Sequence, residues 1–282
     1  MFIKIENEYL QAEINDFGAE LHSLVLEETG KEYVWCGDKN IWSGQSPILF
    51  PAIGKMLDSS YILDGKKYEM SKHGFARNNK FEVTRQEKNL AEFTLRENDD
   101  TLKMYPFSFE LIITFKVVKK SLFVTHTVRN KNSSTMYFSL GCHPALNINI
   151  GDKVVFEKEE NLNTLRIDAD GIIYEVGEKI LDNTSDIEIT NDIFNSDALI
   201  FQNPISKGAT LKNDDKDILR FNWGNIPYLG IWAKPGAPYV CIEPWHGICD
   251  SYESKKDIKE KDGINSLDKN CEFSYTWSVE IL

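Results

Sequence analysis

Near the C-terminus, Phe273, Tyr275, Trp277, Val279 and Ile281 alternate with Glu272, Ser274, Thr276, Ser278 and Glu280. A period of two places the first set on one side of an extended strand and the second on the other, so one face is buried and one is wet. The same alternation runs through Leu122, Val124, His126 and Val128, and through residues 111–118, with Lys119-Lys120 between them as a turn. Those two runs predict a hairpin. Turn signals at Asn15-Asp16, Thr29-Gly30, Asp64-Gly65, Lys88-Asn89, residues 130–134 and Lys234-Pro235-Gly236 punctuate further short strand-like runs. That density predicts an all-β chain, a large and mostly antiparallel sandwich. A doubly wound parallel fold would need repeated helical crossovers, and only residues 101–104, 191–194 and 255–260 read as short helices or helical turns.

At 282 residues the chain could hold two domains of about 150 residues, but all-β chains of this size often form one. No Pro/Gly/Ser linker, low-complexity tract or fixed-period repeat divides it, and the most polar stretch, 213–217, reads as a loop tip. The expectation is a single domain over residues 1–282. A 41% hydrophobic share suffices for a large core. With 44 acidic against 32 basic residues the net charge is −12, a field that repels phosphate backbones and anionic headgroups, so neither nucleic acid nor a membrane surface is an expected partner. No apolar run approaches the roughly 18 residues of a membrane span. Charges at Lys4, Glu6 and Glu8 interrupt any signal-peptide core, and the five cysteines (Cys36, Cys142, Cys241, Cys249, Cys271) follow no disulfide framework, which together point to the cytoplasm. Monomer and homodimer are both compatible with this reading.

Three segments set ionisable side chains among turn-breaking and aromatic residues: Lys72-His73-Gly74-Phe75-Ala76-Arg77, Gly141-Cys142-His143-Pro144, and Cys241-Ile242-Glu243-Pro244-Trp245-His246-Gly247. Proline after His143 and after Glu243 cannot donate to a sheet ladder, so both residues are expected where strands end, and strand ends are where pockets open. A lone histidine is more often structural than catalytic. His126, on an apolar face, and His22, in an early strand, are read as structural, and His246 as a local hydrogen-bonding residue beside a glycine turn.

Together and in this order, the three segments resemble the aldose 1-epimerase (galactose mutarotase-like) superfamily. Within it they resemble a bacterial branch associated with lactose-utilisation genes and related to hexose-6-phosphate mutarotases. The resemblance extends from Phe17-Gly18-Ala19-Glu20-Leu21 to the last strand. It implies a β-sandwich that binds a sugar in a cleft and interconverts its α and β anomers without cofactor or metal. It implies Glu243 as the base, His143 as the acid and His73 as a catalytic histidine near the ring oxygen. Asp197 would orient ring hydroxyls. One departure stands out: many relatives carry arginine shortly after the Phe-Pro segment where this chain has Lys55, which keeps the charge but loses the planar fork. Lys55 or the nearby Arg77 would then meet the sugar, and Lys55, Lys72 and Arg77 together could receive a 6-phosphate. Trp245 is the expected stacking residue, with Trp35, Trp223 and Trp232 as further candidates of which at most one or two touch sugar.

Mutarotation suits these groups. Opening a cyclic hemiacetal removes a proton from the anomeric hydroxyl and adds one to the ring oxygen, work for one carboxylate and one imidazole. A glycoside hydrolase would need a second carboxylate in a comparable motif. Cys142 as nucleophile fails because neighbours on a strand point to opposite faces. A zinc site from His143, His246, Cys241 and Cys249 lacks paired ligand spacing. The rival from another class is a noncatalytic carbohydrate-binding or sugar-sensing sandwich. The expected ligand in either case is a small sugar, an aldohexose or its 6-phosphate.

Overall fold

A computed structural model describes residues 1–214 and 216–282. Strands dominate, and the alternation in the sequence is why. In Glu272–Ile281 the side chains of Tyr275, Trp277, Val279 and Ile281 are buried, while Glu272, Ser274 and Thr276 on the other face are exposed and Ser278 is covered. Each large apolar side chain removed from water in this way contributes roughly 1.5–3 kcal/mol. The expected hairpin forms from Phe109–Val118 and Ser121–Asn130, with Lys119 in the left-handed region at the turn. Asp64 and Gly65, both at positive φ, close the two-residue turn between Ser60–Leu63 and Lys66–Glu69.

Helix is a minor component. The six-residue helix Asp99–Met104 is capped by Asn98, whose side chain accepts from Asp100 and Thr101 N–H groups, and Ile258–Glu260 is a single 3₁₀ turn. The expected helical turn at 191–194 is instead a series of bends and turns. The polar 213–217 stretch lies at the tip between Gly208–Asn213 and Lys216–Asn222, although Asp215 itself is outside the described residues. No helix among the described residues is long and apolar enough to cross a membrane.

A four-stranded sheet carries the N-terminus (Phe2–Glu6, Leu10–Asn15, Glu20–Leu26, Lys31–Glu32) beside one fifteen-stranded sheet. From one edge, the main path of the large sheet begins Ile48–Leu49, Leu140–Cys142, Tyr239–His246, Tyr228–Trp232, Leu199–Gln202 and Lys153–Ile167. It continues through Gly208–Asn213, Lys216–Asn222, Glu272–Ile281 and the 109–130 hairpin to Leu90–Arg96 and Glu82–Glu87. Five strands separate Tyr239–His246 from Glu272–Ile281 along that path, yet the rings of His246 and Tyr275 lie 4.6 Å apart. The sheet therefore folds back on itself as an antiparallel sandwich with its core inside. Val240 and Ile242 of Tyr239–His246 join that core, and a smaller apolar cluster on the outer side contains Trp245, Ile53, Ile200 and Cys249.

Candidate functional site

The register of three short strands builds the site. Gly141 pairs with Trp245, and Ala145 pairs with Cys241. His143 lies midway between the first two residues of those pairs and Glu243 midway between the second two, so the ladder sets them directly opposite each other. Ile242 N–H donates to Pro144 C=O, which keeps the count through the break between the strands. His143 Nε2 and Glu243 Oε1 are 3.1 Å apart as a result.

Pro244 does not end a strand, contrary to the sequence expectation. Glu243 sits well inside Tyr239–His246, and Pro244 pairs with Leu229 on one side. Its missing donor points the same way as the N–H of Ile242, towards the edge where the neighbouring strand is interrupted between Cys142 and Ala145. The expectation holds for His143, which follows the last residue of Leu140–Cys142.

Two glycines make room for Trp245. A Cβ on Gly141 would stand 2.7 Å from the indole Cδ1, and one on Gly230, the partner of Glu243, 2.7 Å from Cζ2. His73 is positioned by a tight backbone crossing. Its φ is +66°, and Gly74 beside it passes so close to Phe50 that a Cβ would sit 2.2 Å from the carbonyl oxygen. His73 N–H donates to Gly54 C=O at 2.8 Å, and Gly54 N–H donates back to His73 Nδ1 at 3.1 Å. Nδ1 is thereby an acceptor, so the neutral ring carries its proton on Nε2. The His73 and His143 ring centroids are 6.2 Å apart.

These groups line a cavity of about 400 Å³ together with Arg77, Asp197, Trp232, Trp245, Lys72, Lys234 and Trp42. Arg77 belongs to the 3₁₀ turn Ala76–Asn78 and donates to Lys72 C=O at 3.2 Å. Asp197, at φ +67°, accepts from Ala198 N–H at 2.7 Å. Lys55 is outside the cavity wall and pairs with Asp170 at 3.2 Å. Of the tryptophans weighed from sequence, Trp232 and Trp245 face the cavity, whereas Trp35 and Trp223 are core residues.

Trp42 and Lys234 were missed by sequence reasoning. Trp42 stacks on His143 with centroids 5.1 Å apart, and Trp232 meets the same imidazole edge-on at 5.6 Å. The one signal for Trp42 is Gly44 two residues later, where a Cβ would collide with the indole at 2.5 Å. Lys234 belongs to a segment that reads only as a turn.

Aromatic enclosure sets the electrostatics. Burial pushes the His143 imidazole down to about 3 and the Glu243 carboxyl well above the ordinary carboxylate range. The Trp245 indole favours the carboxylate although its N–H meets no acceptor at hydrogen-bond geometry, while Asp197 opposes it and Lys72 supports it. Both main shifts favour a neutral pair sharing one proton, which titrates as a unit. His73 is held well below its usual value by burial first and by His143, Arg77 and Lys72 next.

The residues read as structural behave so. His126 is buried, with burial taking its imidazole to about 3. His22 hydrogen-bonds Gln45. His246 packs against Phe273 and Tyr275, its carbonyl accepts from Asn265, and its Nε2 has no protein partner, so the local bonding is through the backbone. Cys142 points into the core, away from the cavity.

A sequence model described as aldose 1-epimerase matches residues 1–260. A galactose mutarotase-like protein from Lactobacillus casei ATCC 334 is 32% identical, with all of both chains covered and a TM-score of 0.93. A galactose mutarotase related enzyme from Lactobacillus acidophilus is 30% identical over 100% of this chain and 97% of its own, also at 0.93. Protein LacX (plasmid) of Lactococcus lactis subsp. lactis is 26% identical over 95% of each chain.

Proposed function

Given that the chain belongs to the aldose 1-epimerase family, we propose that it is a mutarotase that opens and recloses a hexopyranose between Glu243 and His143. The observation that carries this reading is the 3.1 Å approach of the two side chains on the wall of a cavity large enough for a small ligand. The anomeric oxygen and the ring oxygen share one carbon, so a pair already in contact reaches both.

Sugar hydroxyls entering the site supply donors that stabilise the carboxylate, and the shared proton crosses to His143. Glu243 then takes the proton of the anomeric hydroxyl while His143 Nε2–H protonates the ring oxygen, and the ring opens. Rotation about the C1–C2 bond presents the other carbonyl face, and on closure Glu243 returns its proton to the carbonyl oxygen while His143 takes back the proton of the hydroxyl that re-forms the ring. The proton inventory closes with no further reactant, and positioned transfer of this kind contributes about 10²–10⁴-fold. His73, fixed as an Nε2–H donor, stabilises charge on the ring oxygen rather than giving up its proton. Asp197 and Arg77 orient hydroxyls, and Trp232 and Trp245 offer flat faces to the C–H side of the ring.

The substrate we propose is an aldohexose or its 6-phosphate. Relatives named for galactose make that sugar the first to test. Lys72, Arg77 and Lys234 are the cations that would meet a phosphate, and Lys72 and Lys234 make no ion pair among the described residues. The deciding experiment follows the optical rotation of freshly dissolved α-galactose, α-glucose and their 6-phosphates with and without protein. Acceleration of one or more is expected. Saturable binding without acceleration would establish the noncatalytic sugar-binding reading instead.

A further inference from the structure

Cys241 takes no part in the chemistry above. It precedes Glu243 by two residues on the same strand, so both side chains leave the same face, and His143 meets that face from the neighbouring strand. One ligand atom each from His143, Cys241 and Glu243 lie within 4.8 Å of one another. Donors bound to tetrahedral zinc at about 2.0–2.3 Å stand about 3.3–3.6 Å apart, so closure asks for a shift of up to about 1.5 Å spread over three side chains.

We propose that Cys241, His143 and Glu243 form an inhibitory site for a thiophilic divalent cation, Zn²⁺ above all, which occupies the ground where sugar protons would be exchanged. The balance is simple. Zn²⁺ displaces the thiol proton and the proton shared by Glu243 and His143, both of which leave to solvent. Thiolate, carboxylate and neutral imidazole then cancel the charge of the ion, and a neutral assembly suits a buried position. Three protein ligands leave a fourth position open to water on the cavity side. The thiolate selects Zn²⁺ over Mg²⁺ and Ca²⁺, which prefer oxygen. Burial, which holds the Cys241 thiol and the Glu243 carboxyl protonated, is offset by the cation once it is seated.

The test uses the full chain with the exposed thiols removed by Cys36→Ser and Cys271→Ser. Co²⁺ is the optical probe, since a cobalt–thiolate bond gives a charge-transfer band in the near ultraviolet, and Zn²⁺ affinity follows from its displacement of Co²⁺. The parent should show the band. Adding Cys241→Ser should abolish it and weaken Zn²⁺ by more than the 10–100-fold typical of losing an outer-shell partner. Cys241→Ala serves as the second variant, checked for folding by circular dichroism. No band in the parent, or an unchanged band and affinity in either folded variant, overturns the proposal. Only the word inhibitory rests on the proposed function. The cobalt spectrum needs no turnover, so a protein that binds cobalt without accelerating mutarotation keeps the metal site and loses the mutarotase reading.

Discussion

Asp250 and Lys261 form one buried pair of opposite groups, and Glu243 and His143 form another. They sit in loops and strands that share the same apolar cluster, since Cys249 and Trp245 both belong to it. Asp250 is saturated: one oxygen bonds Lys261, the other accepts Leu57 N–H at 2.8 Å, and its own N–H donates to Lys55. Glu243 and His143 have each other, while His143 Nδ1 and the indole N–H of Trp245 have no protein partner. Polar groups satisfied on every side rigidify a fold. Groups left with spare valences beside a cavity are poised for a ligand. The contrast separates a structural pair from the pair proposed to exchange protons, at similar burial.

The sharpest way to break that contrast is to exchange the consequences. Glu243→Gln should lower the mutarotation rate by about 10²–10⁴-fold, because the amide keeps the shape and cannot take a proton. Its urea midpoint should stay at the parent value, and polarimetry with a denaturation curve checks both. Lys261→Met should do the reverse. An uncompensated Asp250 is left inside, which costs about 3–5 kcal/mol of stability, with the rate of the folded protein preserved. A Lys261→Met protein as stable as the parent, or one that is stable and inactive, would erase the distinction.

The last effect concerns acid. His126 and His143 are pushed to about 3, His246 to about 4, and His73 well below its usual value, all chiefly by burial. An unfolded histidine binds a proton below about pH 6.5. Between that value and about pH 4 the unfolded chain therefore holds more protons than the folded one, and stability falls as pH drops, by up to about 1.4 kcal/mol per pH unit for each histidine. Glu243 works in the opposite sense. With its pKa raised, the folded state keeps a proton that the unfolded chain releases above about pH 4.5, so its contribution declines as pH rises. Four imidazoles outweigh one carboxyl, and urea midpoints at pH 7, 6 and 5 should decrease in that order. A kcat/KM profile with an inflection at pH 6.5 would mean that His143 titrates like an exposed imidazole.

Much of this was legible in the chain. Period-two alternation in residues 272–281 marked Tyr275, Trp277, Val279 and Ile281 as buried, although Ser278 on the opposite face is buried too and Phe273 only half-buried, and Lys119-Lys120 marked a hairpin, because both depend on local geometry. The segments holding His73, His143 and Glu243 were visible as motifs, and their side chains do converge. Other features depend on pairings between distant strands. The return of the large sheet on itself, which brings His246 to Tyr275, has no local signature. Trp42 and Lys234 reach the cavity from loops whose sequence specifies only a bend. Pro244 misled for a related reason: its neighbour happens to be interrupted at the point where a donor would be missed, and that interruption lies about a hundred residues away in the chain.

The hydrogen-bonded count from Gly141 to Ala145 has an engineering consequence. His143 meets Glu243 because the number of residues between two anchors matches on both strands. Deleting or inserting one residue in that interval would turn the imidazole to the opposite side of the sheet while leaving every functional residue in the polypeptide. The proposed mutarotation could thus be silenced by arithmetic alone, and a screen that scores only which amino acids are present would not notice.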